Sequence, residues 1–312
     1  MNTASSARNL SFSSRLTSSI KARGSAACIG LDPRRDQLPP ILGATAEVDP
    51  KGVATIYTRF CCDVIDVVAP LVPIVKPQLA CFEMLGPHGM TALAEVILHA
   101  HSKGLLVLAD GKRGDIGSTA EAYADGWLAG PWGTDALTVN PYLGLDSIEP
   151  FVKLASERNA GIFVLVKTSN PGSKDFQELH ADGRTLYQHV ATGVEQFAAR
   201  TAAGETYGAV GAVVGATWPR QLDELRASMP HTWILVPGFG KQGGRAADVR
   251  GAFHSDGLGA LVVSARDVIF AHARPEMNAG LTGTQWQTAV DRACRDMIDR
   301  LAADTPSGVL RK

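Results

Sequence analysis

Apolar residues along this chain fall into two alternating patterns. Short runs rich in Val, Ile and Leu recur at 26–31, 72–76, 105–110, 136–140, 161–167, 209–215, 232–236 and 258–264. Runs of that length with few polar interruptions suit strands buried on both faces. Between them lie stretches long enough for helices, such as 54–68, 91–102, 186–200 and 219–229. Strands alternating with helices imply a parallel sheet covered on both sides. Eight such units predict closure into a (β/α)8 TIM barrel, an α/β fold in a single domain with extended βα loops. The chain has 312 residues, enough for a barrel of about 250 with longer loops. No internal repeat or compositional break marks a second domain. The expected division is a flexible N-terminal tail at 1–10, the barrel at 11–303 and a C-terminal tail at 304–312.

The N-terminal segment has two readings. Residues 1–31 carry Arg8, Arg15, Lys21 and Arg23, many serines and no acidic residue, the composition of an organelle transit peptide. Against this, Phe12, Leu16 and Ile20 recur at four-residue spacing, as on the docking face of a helix. The spacing favours the helix. A secretory apolar core is missing from the segment.

Charge and cysteine content narrow the class. The formal net charge is −1, which gives no electrostatic reason to expect nucleic acid or an anionic membrane as partner. Five cysteines, Cys28, Cys61, Cys62, Cys81 and Cys294, form no CxxC pair and leave an odd one over, which fits a reduced, cytoplasmic setting. No apolar run reaches the roughly 20 residues of a membrane span.

The polar residues cluster at one end of the expected strands. Asp32 follows the first, Lys76 ends the second, and Asp110 and Lys112 close the third. Asn140 ends the fourth and Lys167 to Ser169 the fifth, while a Gly-rich stretch at 238–244 follows the seventh and Arg266 the eighth. Surface exposure explains one or two such residues but predicts no bias toward one end. Barrel active sites sit at the C-terminal ends of the strands. Asp110 and Lys112 are two apart, so a regular strand points both to the same side, and Asp115 follows in a Gly-containing turn. At 4 Å an opposite charge pair interacts by roughly 4 kcal/mol at an effective dielectric of 20. Such a network holds Lys112 fixed as an ammonium. A surface ion-pair cluster is the plainer reading, and DxKxxD alone is short. After the seventh strand, PGFGKQGG at 237–244 offers open backbone N–H groups and Arg266 a planar fork, a combination suited to phosphate.

Six motifs together resemble one family. They are GLDPR at 30–34, IVKPQ at 74–78, LADGKRGDIGSTA at 108–120, TSNPG at 168–172, PGFGKQGG at 237–244 and SAR at 264–266. Their order and strand-end placement resemble orotidine 5′-phosphate decarboxylase, in particular its longer-looped bacterial branch. The resemblance covers about residues 10 to 300. It implies conversion of orotidine 5′-monophosphate to UMP and CO₂ in pyrimidine biosynthesis, with no cofactor and no metal. It also implies a homodimer with shared active sites. By it, Lys112 protonates C6, Asp110 faces the substrate carboxylate, and Asp32 and Lys76 contact the ribose hydroxyls. Asp115 and Thr119 come from the neighbouring subunit. Ser169 binds the pyrimidine amide edge, and Gln242, the backbone of Gly243 and Gly244, and Arg266 hold the phosphate.

Three rival readings remain. A Mg²⁺-dependent sugar-phosphate decarboxylase or synthase of the same superfamily resembles the DxKxxD core, but such relatives carry a carboxylate where Lys76 stands. A class I aldolase needs a neutral lysine, which two neighbouring carboxylates oppose. A catalytically dead nucleotide-binding barrel fits poorly with a complete motif set. His99 and His101 read as exposed helix residues rather than metal ligands, and Trp127, Trp132, Trp218 and Trp233 as packing. Residues 168–182 form either a lid over the site or an irregular surface loop.

Overall fold

The computed structural model describes residues 10–43, 49–240 and 244–311. The expected tail at 1–10 lies almost wholly outside the described residues, as do Gln242 and Gly243. Eight parallel strands close into a barrel: β1 (Ala27–Leu31), β2 (Ile74–Pro77), β3 (Leu106–Arg113), β4 (Ala136–Val139), β5 (Gly161–Lys167), β6 (Val210–Val214), β7 (Ile234–Pro237) and β8 (Ala260–Ser264). Each pairs with its sequence neighbours, and β8 closes on β1 with Ala27 opposite Val262. All eight apolar runs became strands, with ends shifted by no more than three residues. Between β5 and β6 a two-stranded hairpin, His180–Ala181 with Arg184–Thr185, pairs outside the barrel.

The floor of the barrel is a helix, α1 (Phe12–Arg23). Ser11 caps it by accepting the N–H of Ser14, and Gly24 ends it in the left-handed region at φ 58°. Phe12, Leu16 and Ile20 are buried and join the inward residues Cys28, Ile74, Leu108, Ala136 and Phe163 in one apolar cluster. The four-residue recurrence therefore marked a docking face. Phe12 meets Phe163 edge-on at 6.1 Å between ring centroids. Gly161 lets it in, because a Cβ there would collide with the Phe12 ring. The polar side of α1 is tied down as well. Arg15 pairs with buried Asp135 and donates to the carbonyl of Asn159 at 2.8 Å. Asp135 also bonds His101 Nε2 at 2.9 Å and accepts the N–H of Val107. Burial opposes the charge of Asp135, but His101 and Arg15 outweigh it and hold the carboxyl low.

Helices cover the outside. α2 (Pro50–Val68) and α3 (Gly86–Ser102) pack between the first three strands, followed by α4 (Gly117–Trp127), α5 (Leu145–Glu157), α6 (Leu186–Thr201) and α7 (Pro219–Ser228). α8 (Trp286–Asp304) returns along α2, and Phe60 stacks against both Phe270 and Trp286. Where the sequence suggested a tail, Pro306–Leu310 forms a 3₁₀ turn whose Leu310 packs against the floor cluster. Of the tryptophans, Trp127 stacks on Trp132 and Trp233 lies buried against Tyr207. His99 bonds Asp66 at 2.8 Å rather than facing a shared metal position.

If α1 is the plug that completes the inner core, Phe12→Ala leaves a cavity at the floor. The expected loss of unfolding free energy is about 3–5 kcal/mol, read from urea denaturation. Catalytic constants should stay within about twofold, because the site lies at the opposite end of the barrel. A stable variant with altered constants would show that the floor does not carry the load assigned to it.

Candidate active site

Parallel strands end together, so the C-terminal residues of all eight share one mouth. A cavity of about 1020 Å³ opens there, lined among others by Asp32, Lys76, Asp110, Lys112, Thr138, Ser169 and Arg266. Three neighbouring strands build its charged centre. Lys76 at the end of β2 donates to Asp110 Oδ2 at 2.5 Å, and Lys112 on β3 donates to Asp110 Oδ1 at 2.6 Å. Gln78 adds a bond to Oδ2 at 3.2 Å and Thr138 on β4 one to Oδ1 at 3.0 Å. Both carboxylate oxygens are thus engaged twice. Burial alone would push Asp110 up, but the two ammonium groups hold it well below the usual carboxylate range. Burial likewise opposes the charge of Lys76, yet Asp110 and Asp32 raise its affinity for the proton above the ordinary lysine value.

Strand alternation predicted that Asp110 and Lys112 share a side. They do, though by a different route. The β3–β4 register shifts between Ala109 and Arg113, and Lys112 adopts φ 47°, rare outside glycine. Its backbone N–H is anchored on Thr138 Oγ1 at 2.8 Å. A left-handed lysine inside a bulge is local strain of the kind found at functional sites. The result aims the ammonium into the cavity, where the Lys112 side chain stays 46% exposed against 6% for Lys76.

The remaining expected residues divide into those at the cavity and those away from it. Asp32 faces it, and its buried Oδ1 has no hydrogen-bond partner among the described residues. Ser169 and Arg266 line the wall, Ser169 after β5 and Arg266 at the start of the short helix Arg266–Ile269. Gly244 does not reach the wall: it is buried, and its N–H donates to the carbonyl of Gly238 at 3.3 Å. Asp115 and Thr119 also stand away from the cavity of their own chain. Asp115 Oδ1 accepts the N–H of Ile116 at 2.8 Å, and Thr119 is exposed on the first turn of α4. Residues 168–182 are not irregular, since they hold a 3₁₀ turn, the short helix Lys174–Gln177 and the first strand of the outer hairpin.

Sequence reasoning missed Gln78 and Thr138. Thr138 had a readable signal, because Ala136, Thr138 and Asn140 alternate on the inward face of β4. Phe176, Gln177 and Tyr142, which also line the cavity, sit in loops where no periodicity marks them. Among the described residues no three His, Cys, Asp or Glu side chains gather as metal ligands would. No helix among them is long and apolar enough to cross a membrane.

A closed (β/α)8 barrel with a three-residue charge network at its mouth, and an arginine after the last strand, defines an enzyme of the phosphorylated-ligand barrel class. Within that class the chain belongs to the orotidine 5′-phosphate decarboxylase / HUMPS family, whose model matches residues 26–279. The orotidine 5′-phosphate decarboxylase of Rhodopirellula baltica is 53% identical over 299 residues, covering 94% of this chain and 99% of that one. The enzyme of the same name from Deinococcus radiodurans is 45% identical, covering 83% and 89%. Among solved structures, the OMP decarboxylase of Leishmania donovani superposes with a TM-score of 0.73 at 31% identity, covering 95% and 98%.

The pairing of Asp110 carries a pH signature. Its pKa is depressed on folding, so its stabilisation is fully present above the unfolded value near 3.8 and is lost as pH falls further. The stability difference between wild type and Asp110→Asn should be flat from pH 7 to about pH 5. Below about pH 4 it should then fall by up to roughly 1.4 kcal/mol per pH unit. Urea titrations across that range test it, and a difference independent of pH would mean Asp110 is not held charged by its neighbours.

Proposed function

We propose that this chain decarboxylates orotidine 5′-monophosphate to UMP, with Lys112 as the proton donor. The observation that carries the reading is the Lys76–Asp110–Lys112 network, with its one well-exposed ammonium aimed into the cavity. Its family membership and closely similar decarboxylases support the substrate.

The chemistry follows from charge. Breaking the C6–carboxylate bond releases CO₂ and leaves the electron pair on C6, where no adjacent π system spreads it. Stabilisation must then be electrostatic, from a group already in place. The Lys112 ammonium, fixed by Asp110 and by its own strained backbone, lies where it offsets the developing carbanion and then transfers a proton from Nζ to C6. Asp110 sits beside the departing carboxylate. Its repulsion of that group disappears when neutral CO₂ leaves. Asp32, with an unpaired buried oxygen, accepts hydrogen bonds from the ribose hydroxyls, and Lys76 supports the same edge. Ser169 meets the pyrimidine amide edge. Arg266 holds the phosphate together with Gln242 and Gly243 of the Gly-rich loop, and this remote binding orders the reacting end. Both oxygens of Asp110 are engaged by nitrogen and hydroxyl donors. This disfavours the metal-dependent sugar-phosphate chemistry of the family's other branch.

The position of Asp115 supports a shared site in a homodimer. It stands outside its own cavity, beside Ile116, which is 60% exposed. Met84, Tyr142 and Leu143, also exposed, follow the adjacent strands β2 and β4. These exposed apolar side chains, in the loops after β2, β3 and β4, would suit an isologous interface that lends Asp115 and Thr119.

Loss of orotidine 5′-monophosphate absorbance tests the reading directly. Wild type should be fully active in EDTA, whereas Lys112→Ala should keep its fold and retain less than about 1% of kcat. Chelation that abolishes turnover, restored by Mg²⁺, would assign the chain to the metal-dependent branch. The shared site has its own test. Lys112→Ala and Asp115→Ala dimers should each be nearly inactive. On subunit exchange half the molecules become heterodimers with one intact site each, so activity should recover to roughly a quarter of wild type. Exchange is verified by native mass spectrometry, and exchanged but inactive heterodimers would place Asp115 within its own subunit.

A further inference from the structure

Lys167 ends β5 and is completely buried, yet it takes no part in the charge network. Regular alternation would turn it inward beside Leu165. The register of β5 against β6 shifts between Leu165 and Lys167, and the side chain leaves the barrel axis. Its ammonium lies 4.4 Å from the centre of the Trp218 ring and 5.8 Å from that of Tyr187. It donates to Glu178 Oε1 at 2.8 Å and to Ser173 Oγ at 3.2 Å. A lysine buried in this way keeps its place only through such partners.

These partners belong to the loop that follows β5. Glu178 lies eleven residues on, so the ion pair closes the loop back onto the strand that launches it. The same loop is bound a second time through Thr168. Trp218 Nε1 donates to the Thr168 carbonyl at 2.8 Å, and Gln177 bonds both the N–H of Thr168, at 2.9 Å, and its hydroxyl, at 2.8 Å. Trp218 thus fixes Lys167 and Thr168 together. Next in the chain, Ser169 is packed against Gly215, where an added Cβ would come within 2.9 Å of the Ser169 backbone. Ser169, Asn170, Phe176 and Gln177, all from the stretch after β5, line the cavity, which Arg266 reaches from beyond β8.

We propose that Lys167 is a positioning residue that sets the base-side wall of the site, holding Ser169 at the pyrimidine through its ion pair with Glu178 and its seat on Trp218. Lys167 touches no substrate. Its effect is confined to ligands that carry a base, because the phosphate end is built from β7 and β8. The inference rests on the proposed nucleotide site and is distinguishable from it.

The test compares wild type, Lys167→Met, Glu178→Gln and the double variant by calorimetric titration with UMP and, separately, with ribose 5-phosphate. Lys167→Met should weaken UMP by at least roughly tenfold and ribose 5-phosphate by less than about twofold, with KM for orotidine 5′-monophosphate rising in parallel. Glu178→Gln should shift UMP in the same direction by about threefold or more. The double variant should be no worse than Lys167→Met, the mark of two groups acting as one. Equal weakening of both ligands, or unchanged UMP affinity, would overturn the assignment. Should Lys167→Met fail to fold, Glu178→Gln decides alone by the same comparison. Failure of wild type to turn over orotidine 5′-monophosphate would instead sink the functional reading.

Discussion

A carboxylate held between two ammonium groups is the constraint around which this molecule is arranged. Asp110 is nearly buried, and a lone charge there would be expelled or neutralised. Lys76 and Lys112 prevent that from opposite sides, and Gln78 and Thr138 occupy the remaining lone pairs. The five residues lie on, or directly after, three adjacent parallel strands, so their distances are set by barrel register. A slip of one residue between β2 and β3 would turn Lys76 away and leave Asp110 half-paired. Fold and site are therefore one specification. The closed sheet places the charges, and the charges are tolerable only in that sheet.

The two ends of the barrel solve the same problem to different purposes. At the floor, Asp135 is also a buried carboxylate, held between Arg15 and His101. There every partner is committed to closing the fold: Arg15 to α1, His101 to α3, and Val107 N–H to β3. At the mouth the network stays open on one side, where a half-exposed ammonium borders an empty volume. The left-handed backbone of Lys112 and the bulge that bears it lie at this end.

Much of this was legible in the chain itself. Eight buried strands announce themselves as apolar runs because parallel barrel strands have no wet face, and the floor helix shows in Phe12, Leu16 and Ile20. Asp32, Lys76, Asp110, Lys112, Ser169 and Arg266 were readable as residues of one cavity because parallel strands deliver their last residues to one place. Other features depend on neighbours distant in sequence. Thr138 matters only because the β3 bulge brings Lys112 N–H and Asp110 to it. Phe176 and Gln177 reach the cavity through a folded loop with no repeating pattern. The Gly244 N–H looked free for a ligand, yet the turn it builds uses that N–H on Gly238. Composition around a loop reveals that it turns, but not which way its amides face.

Three strand-end lysines show why residue type and position underdetermine role. Lys76, Lys112 and Lys167 stand at the ends of β2, β3 and β5 and look equivalent in the sequence. Lys76 is 6% exposed and committed to Asp110. Lys167 is wholly buried, turned outward by a register shift onto an indole face and a loop glutamate. Lys112 alone of the three is both charge-paired and open to the cavity. An ammonium that must donate a proton to a ligand and be held still while doing so needs both properties at once. Pairing without access makes a structural cation, and access without pairing leaves a mobile one whose ordering must be supplied by the substrate. The bulge in β3 resolves that conflict, since it keeps Lys112 within 2.6 Å of Asp110 while lifting the side chain clear of the packed interior. The same device in β5 sends Lys167 the other way. In this barrel, small register shifts at two strand ends separate the lysine proposed as proton donor from the lysine proposed to fix a wall.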